Sequence, residues 1–289
     1  MTPKSKSPTT RPTVGFIGLG DQGEYIAHHI RDGGFPLHIW ARRDTTLAPF
    51  VGTGTIIDSS AAAVGALCDV VELCVNFDDD VLQVVLGQDG VLEGMRPGGV
   101  IVVHSTVAPS TVIELAEAAR PQGIDVLDAP VSGARKGAIE GTMSVIVGGE
   151  TTVLERVRPV FETFAHTVTL VGDIGAGQVV KVLNNNVCFA NLSLLLAARG
   201  IAEQLGLDVE RTLDVIAASS GASFALGLAR TPATMRLMAE PQNMRSNVEI
   251  LAAVLAEHGI EGGELTALAA GAKARVVARV AELDAEKIP

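Results

Sequence analysis

Aromatic residues are scarce in this chain. One tryptophan, one tyrosine and eight phenylalanines are spread over 289 residues. That shortage disfavours a sandwich packed around large rings, and the plentiful Ala, Val, Leu and Gly instead suit Val/Ile strands buried under Ala/Leu helices. Cysteine is scarcer still. Cys68, Cys74 and Cys188 show no metal-ligand spacing and are odd in number. They read as small buried hydrophobes in a reducing cytoplasm, not as a metal site or a disulfide framework. Positive charge is in deficit, with 22 Lys and Arg against 33 Asp and Glu and a formal net charge of −11. Such an excess of carboxylates repels nucleic acid and anionic membrane surfaces, so neither is expected as a partner. The most apolar long window, residues 179–205, is broken by Lys181, the Asn184-Asn185-Asn186 run and Arg199, a load that a membrane span does not carry. Residues 1–12 are polar and proline-broken with no apolar stretch behind them. They read as a disordered tail rather than a secretory signal, and a cytoplasmic location is expected.

What is present is an alternation. Short β-branched runs occur at 13–18, 36–41, 55–57, 70–75, 100–104, 124–127, 143–147 and 168–171. Helical patterns lie between them, notably 21–32, 109–120 and 151–164. Strands separated by helices of this length imply right-handed crossovers and a mainly parallel sheet. From Gly177 onward only helical patterns appear, beginning with a run at 178–205. The expected organisation is therefore an α/β, doubly wound sheet domain at 13–173 and an all-helical domain at 174–289.

Gly18-Leu19-Gly20-Asp21-Gln22-Gly23 fits G-x-G-x-x-G between the first strand and the first helix. The first glycine permits the tight turn, the second lets a pyrophosphate approach the backbone, and the third lets helix and strand pack closely. The helix N-terminus then offers N–H donors to the anion. A dinucleotide is the expected ligand. At the end of the second strand stands Trp40-Ala41-Arg42-Arg43. The acidic residue that takes the ribose hydroxyls of NAD is missing there, and two guanidinium groups suited to a 2′-phosphate take its place, favouring NADP over NAD.

Three further segments look chemical. Ser105-Thr106 follows a strand and so lies at the carboxyl edge of the sheet, where ligands sit in such folds. Asp128-Ala129-Pro130-Val131-Ser132-Gly133 follows another strand, and its Ser-Gly turn offers a hydroxyl and backbone N–H groups to a carboxylate. Lys181, Asn184 and Asn185 share one helix face by their spacing. The flanking Val179, Val180, Val182 and Leu183 imply a largely buried turn, and burial of an amine lowers its pKa toward the range useful for proton transfer.

GFIGLGDQGEYIA, DAPVSGARKGAIEGTM and GAGQVVKVLNNN together resemble, in order and spacing, the signature segments of the β-hydroxyacid dehydrogenase family, across residues 13–255. The resemblance implies a Rossmann domain followed by a helical domain through which the protein forms a homodimer or tetramer. It implies Lys181 as general acid/base, and Ser132, Gly133 and Asn185 as the residues that bind and orient a small carboxylate substrate. It also places Thr106 and Asn76-Phe77 near the nicotinamide and Asn247 near the cofactor. The implied reaction interconverts a 3-hydroxy acid and its semialdehyde or keto form.

Some residues depart from the family pattern. Gln22 stands where Met is usual, His104 replaces the Asp before Ser-Thr, and Asn76-Phe77 replaces a Leu-Pro pair. Ser246-Asn247, with Arg245 beside it, aligns with a Lys-Asp pair that closes over cofactor and substrate in relatives. Loss of both charges points to an unusual substrate. Two alternatives stay open: an NADPH-dependent imine reductase, against which Lys181 and DAPVSG argue, and a non-catalytic NADP-binding relative.

Overall fold

The computed structural model describes residues 11–239 and 241–285. The chain divides into two compact units, one ending at Lys181 and the other starting at Val182. The first unit contains, in chain order, β1 (Val14–Ile17), α1 (Gly23–Asp32), β2 (Leu37–Trp40), β3 (Ile56–Ile57), α2 (Ala61–Leu67), β4 (Val70–Leu73), α3 (Asp78–Leu86) and α4 (Val91–Gly94). It continues with β5 (Val100–Val103), α5 (Pro109–Ala119), β6 (Asp125–Asp128), β7 (Val131–Ser132), α6 (Ala134–Glu140), β8 (Met143–Gly148), α7 (Thr151–Phe161) and β9 (Ala165–Gly172).

These strands form one sheet in the order β3-β2-β1-β4-β5-β6-β8-β7, with β9 paired to β8. Strands β1 to β6 pair in parallel. Chain order reverses at β1, which lies between β2 and β4, and such a switch point opens a crevice at the carboxyl ends of the strands. Local chemistry sets the helix ends. The Ser60 side chain accepts from Ala63 N–H at 3.1 Å and caps α2, and Pro109 opens α5 where no donor is needed. Two elements escape the hydrophobic pattern. Strand β7 is two residues long, too short to show alternation, and pairs antiparallel with β8; α6 follows it directly and is only two turns long.

Alternate residues of each strand face opposite sides of the sheet, so the first unit has two cores. Phe16, Ile39, Val102, Phe161 and Phe164 belong to one, and Ile17, Val71, Leu73, Ile101 and Val103 to the other. One polar pair is buried within the first core. Glu72 on β4 lies 3.1 Å from His104 Nε2, and both side chains are wholly buried. The other ring nitrogen, Nδ1, lies 2.8 Å from the Ala129 carbonyl oxygen and donates to it. Phe16 stacks on the His104 ring, and Phe161 and Phe164 meet it edge-on. His104 therefore turns into the core and takes no place at the sheet edge.

The second unit is built from most of α8 (Ala176–Gln204), whose first turns belong to the first unit, and from α9 (Val209–Ala217), α10 (Phe224–Arg230), α11 (Pro232–Ala239), α12 (Pro241–Glu257) and α13 (Gly263–Ala285). Phe189, Leu192 and Leu195 on α8 pack with Leu226, Met235, Ala272 and Val276. By length and apolar composition α8 is the one described helix that reaches the size of a membrane span; Lys181, Asn184–186 and Arg199 weigh against that role. Val187, Leu194 and Ile201, at seven-residue intervals on α8, are 48%, 54% and 58% exposed.

Removing one partner of a buried polar pair strands the other in a medium that cannot solvate it. Glu72→Leu is expected to cost about 3–5 kcal/mol in urea unfolding, and adding His104→Leu should recover a large part of the loss.

Candidate active site

The glycine turn leaves β1 at Ile17 and is pressed against the end of β4. Gly18 has φ +105°, and a Cβ there would lie 2.3 Å from the Cys74 carbonyl oxygen. Cys74 N–H in turn donates to Ile17 O at 2.8 Å. Gly20 faces open space. Beside this turn lies a cleft of about 400 Å³, lined by Gly18, Leu19, Gly20, Ala41, Arg42, Arg43 and Asn76 from the expected set, with Trp40, Thr46 and Cys74 among residues the motif does not name. The Leu19 side chain is buried in the core, so what it offers the cleft is backbone. Asp21, Gln22, Gly23, Phe77 and Thr106 are not part of this lining. Asp21 is exposed and pairs with Arg135, whose guanidinium lies 5.0 Å from the Tyr25 ring centre. The cradle fits a dinucleotide: an unobstructed glycine backbone at one side and guanidinium groups at the other.

The two arginines differ. Arg42 is engaged in an ion pair with Asp80. Arg43 is exposed and has no carboxylate partner among the described residues; its carbonyl accepts from Thr46 Oγ1 at 2.8 Å. The Cys74 thiol at the cleft wall is pushed up to about 12 by burial and by the Glu72 carboxylate, so it stays protonated and inert at neutral pH.

At the carboxyl edge, Ser105 Oγ accepts from Val75 N–H at 2.9 Å, fastening the loop after β5 to the end of β4. Thr106 beside it is half-buried. Asp78 Oδ1 accepts from Ala108 N–H at 2.8 Å and from Thr111 Oγ1 at 2.6 Å, which fixes the start of α3 to the start of α5. Ser132 ends β7, and the chain then bends through Gly133 at φ +140° and Ala134 at φ +52°. A side-chain-bearing residue in the left-handed region is strained, by about 1 kcal/mol or more.

Asp128 closes β6 and receives the start of α8. Its Oδ1 accepts from Gly175 N–H and its Oδ2 from Gln178 N–H, both at 2.7 Å. Gly177 allows the approach, since a Cβ there would lie 2.6 Å from Asp128 Oδ2. Burial pushes the Asp128 carboxyl above its usual range, and the surrounding backbone N–H groups pull against that rise. Gln178 is fully buried, with its side chain bonded to Ser105 O at 2.9 Å and Val107 N–H at 3.0 Å. One turn further stands Lys181, only 7% exposed. The expected burial of its neighbours is corrected in part. Val182 is buried, but Val180 and Leu183 are 36% and 38% exposed, because steps of 100° per residue turn them onto another face of the helix.

Within the helical unit, Asn185 Nδ2 donates to Asn247 Oδ1 at 2.7 Å. Asn186 is buried, and its Nδ2 donates to Val182 O at 2.8 Å and Asn247 O at 3.1 Å. Asn247, expected near the cofactor, is thus one half of an amide pair joining α8 to α12. The side chains of Arg245 and Ser246 lie outside the described residues. Sequence reasoning missed Asp128 and Gln178, although both stand inside the motifs it quoted. A carboxylate at a strand end and a glutamine just inside a long helix were the available signals.

Among the described residues no cluster of His, Cys, Asp and Glu is placed to hold a metal ion. A mainly parallel sheet with a glycine turn at its switch point and a cleft ending on arginines define a dinucleotide-binding unit, which a helical second unit follows. Comparison with known proteins agrees. Residues 13–172 match the NAD-binding domain of 6-phosphogluconate dehydrogenase. Residues 175–260 match the NAD-binding domain of NADP-dependent 3-hydroxyisobutyrate dehydrogenase. The chain is 34% identical over 213 residues to 2-(hydroxymethyl)glutarate dehydrogenase of Eubacterium barkeri, covering 74% of this chain and 71% of that protein. Among solved structures, Mycobacterium tuberculosis 3-hydroxyisobutyrate dehydrogenase with L-serine superposes with a TM-score of 0.79 at 27% identity, covering 94% of each chain. Psf3 in complex with NADP+ and 2-OPP superposes with a TM-score of 0.76 at 28% identity, covering 89% of this chain and 91% of that one. The chain belongs to the β-hydroxyacid dehydrogenase family and is an NAD(P)-dependent oxidoreductase of the 3-hydroxyisobutyrate dehydrogenase type.

Proposed function

We propose that this enzyme prefers NADP and interconverts a small 3-hydroxy acid and its semialdehyde, with Lys181 as general acid/base. The observation that carries this is the burial of Lys181 on a helix whose first turn is fastened to the sheet edge by Asp128 and Gln178. A buried amine on a fixed element is suited to proton transfer at a defined atom. In the oxidative direction the Ser132-Gly133 turn binds the substrate carboxylate and the Asn185 amide orients the substrate. Lys181 Nζ takes the hydroxyl proton as the carbon–oxygen double bond forms; in reverse its ammonium returns the proton to the alkoxide. Thr106, Asn76 and Phe77 would flank the nicotinamide of a bound cofactor, which would supply or accept the hydride. That the relatives named above act on hydroxy acids or hold L-serine supports the substrate class.

The cofactor preference rests on Arg43. Arg42 is partly neutralised by Asp80, so Arg43 is the guanidinium whose charge is available to a 2′-phosphate. The exposed Val187, Leu194 and Ile201 stripe supports association with a second copy along α8, since a seven-residue apolar repeat is self-complementary between helices.

Three measurements test these assignments. With 3-hydroxyisobutyrate, L-serine, glyoxylate and succinic semialdehyde as probes, Lys181→Ala should lower kcat about 10²–10⁴-fold with NADPH still bound; near-normal turnover would remove the assignment. Arg43→Ala should weaken NADPH binding about 10–100-fold and leave NADH unchanged, and Arg42→Ala should do less. In sedimentation velocity the wild type should run as a dimer or tetramer and Leu194→Glu should shift it toward monomer; a monomeric wild type ends the α8 proposal.

A further inference from the structure

We infer that Gln178 is a positioning residue, which sets the Lys181 helix against the Thr106 loop by gripping that loop on both sides of Thr106. The grip is complete at both ends of one flat group. The Gln178 amide nitrogen donates to Ser105 O at 2.9 Å, and its carbonyl oxygen accepts from Val107 N–H at 3.0 Å. The same residue's backbone N–H donates to Asp128 Oδ2 at 2.7 Å. Three segments, the loop after β5, the end of β6 and the first turn of α8, therefore meet at one fully buried residue. Lys181 stands three residues on and shares its helix face. With this turn held, α8 has no freedom to rotate by one residue, a 100° turn that would carry Lys181 away from the Thr106 side. Glutamine suits the position because it offers a neutral donor and a neutral acceptor at full reach. Asparagine is one methylene shorter, and a methionine of similar size leaves the Ser105 carbonyl and Val107 N–H buried and unmatched.

The inference rests on Lys181 being the acid/base residue of the proposed function, and the test separates the two. Full-length wild type, Gln178→Met, Gln178→Glu and Lys181→Met are compared in NADPH oxidation with succinic semialdehyde, alongside thermal unfolding and NADPH binding by fluorescence. Gln178→Met should lose about a hundredfold in kcat, as expected for a small misplacement, with KM and NADPH affinity changed by less than about threefold. Gln178→Glu supplies a readout that a purely structural role would not move. A protonated carboxyl both donates and accepts as the amide does. An ionised one only accepts, and it faces the Ser105 carbonyl with the Asp128 carboxylate held close by from β6 and Lys181 one turn away. The kcat of Gln178→Glu relative to wild type should therefore be highest in mild acid and fall as pH rises, whereas the same ratio for Gln178→Met stays flat. Folded Gln178→Met with wild-type kcat beside an inactive Lys181→Met would overturn the inference and leave the acid/base assignment standing. A flat ratio for Gln178→Glu would also overturn it, and that profile decides the matter should Gln178→Met fail to fold. Near-normal turnover by Lys181→Met would remove the acid/base assignment and the inference together.

Discussion

One carboxylate holds this architecture together at the point where chemistry is expected. Asp128 ends a central strand and accepts the backbone N–H groups that open the longest helix of the chain. An anion at a helix N-terminus satisfies donors that have no partner inside the helix and meets the positive end of its dipole. Here that general preference ties the helix bearing Lys181 to the sheet that cradles the dinucleotide. The glycines nearby follow from it, since any side chain at Gly177 or Gly148 would collide with the Asp128 carboxylate. So does the fold's economy of loops, because Ser105, Val107 and Gln178 are linked through the same junction.

Much of this was legible from residue order. The glycine turn, the arginines after β2 and the alternation of strands and helices each reflect backbone or charge requirements that a sequence displays directly. The Ser132 turn stood out as a Ser-Gly pair after a strand, and Lys181 because a polar group in apolar surroundings demands an explanation. What stayed hidden depends on contacts between distant segments. His104 reads as a departure at the sheet edge, yet it points inward to Glu72, a partner 32 residues earlier that no local pattern associates with it. Asn247 reads as a lost charge, and its engagement with Asn185 is visible only once α8 and α12 are side by side in the helical unit. The exposure of Val180 and Leu183 was hidden for a simpler reason: an apolar run does not say which of its members face outward.

The division of labour between the two arginines is of the same kind. Adjacent in sequence, Arg42 and Arg43 look interchangeable. Asp80, from the first turn of α3, distinguishes them by claiming one. The cleft thus presents one guanidinium paired with a carboxylate and one with no carboxylate partner among the described residues.

The bend at Gly133 and Ala134 bears on timing. Two successive residues with positive φ, the second carrying a methyl group, are a shape that a free peptide rarely visits. The cost of winding the turn beside Ser132 is met when the domain folds, so a ligand that meets it finds a hydroxyl and backbone amides already arrayed and loses little affinity to ordering them. Recognition at this turn is then a matter of fit to a shape set in advance of any encounter.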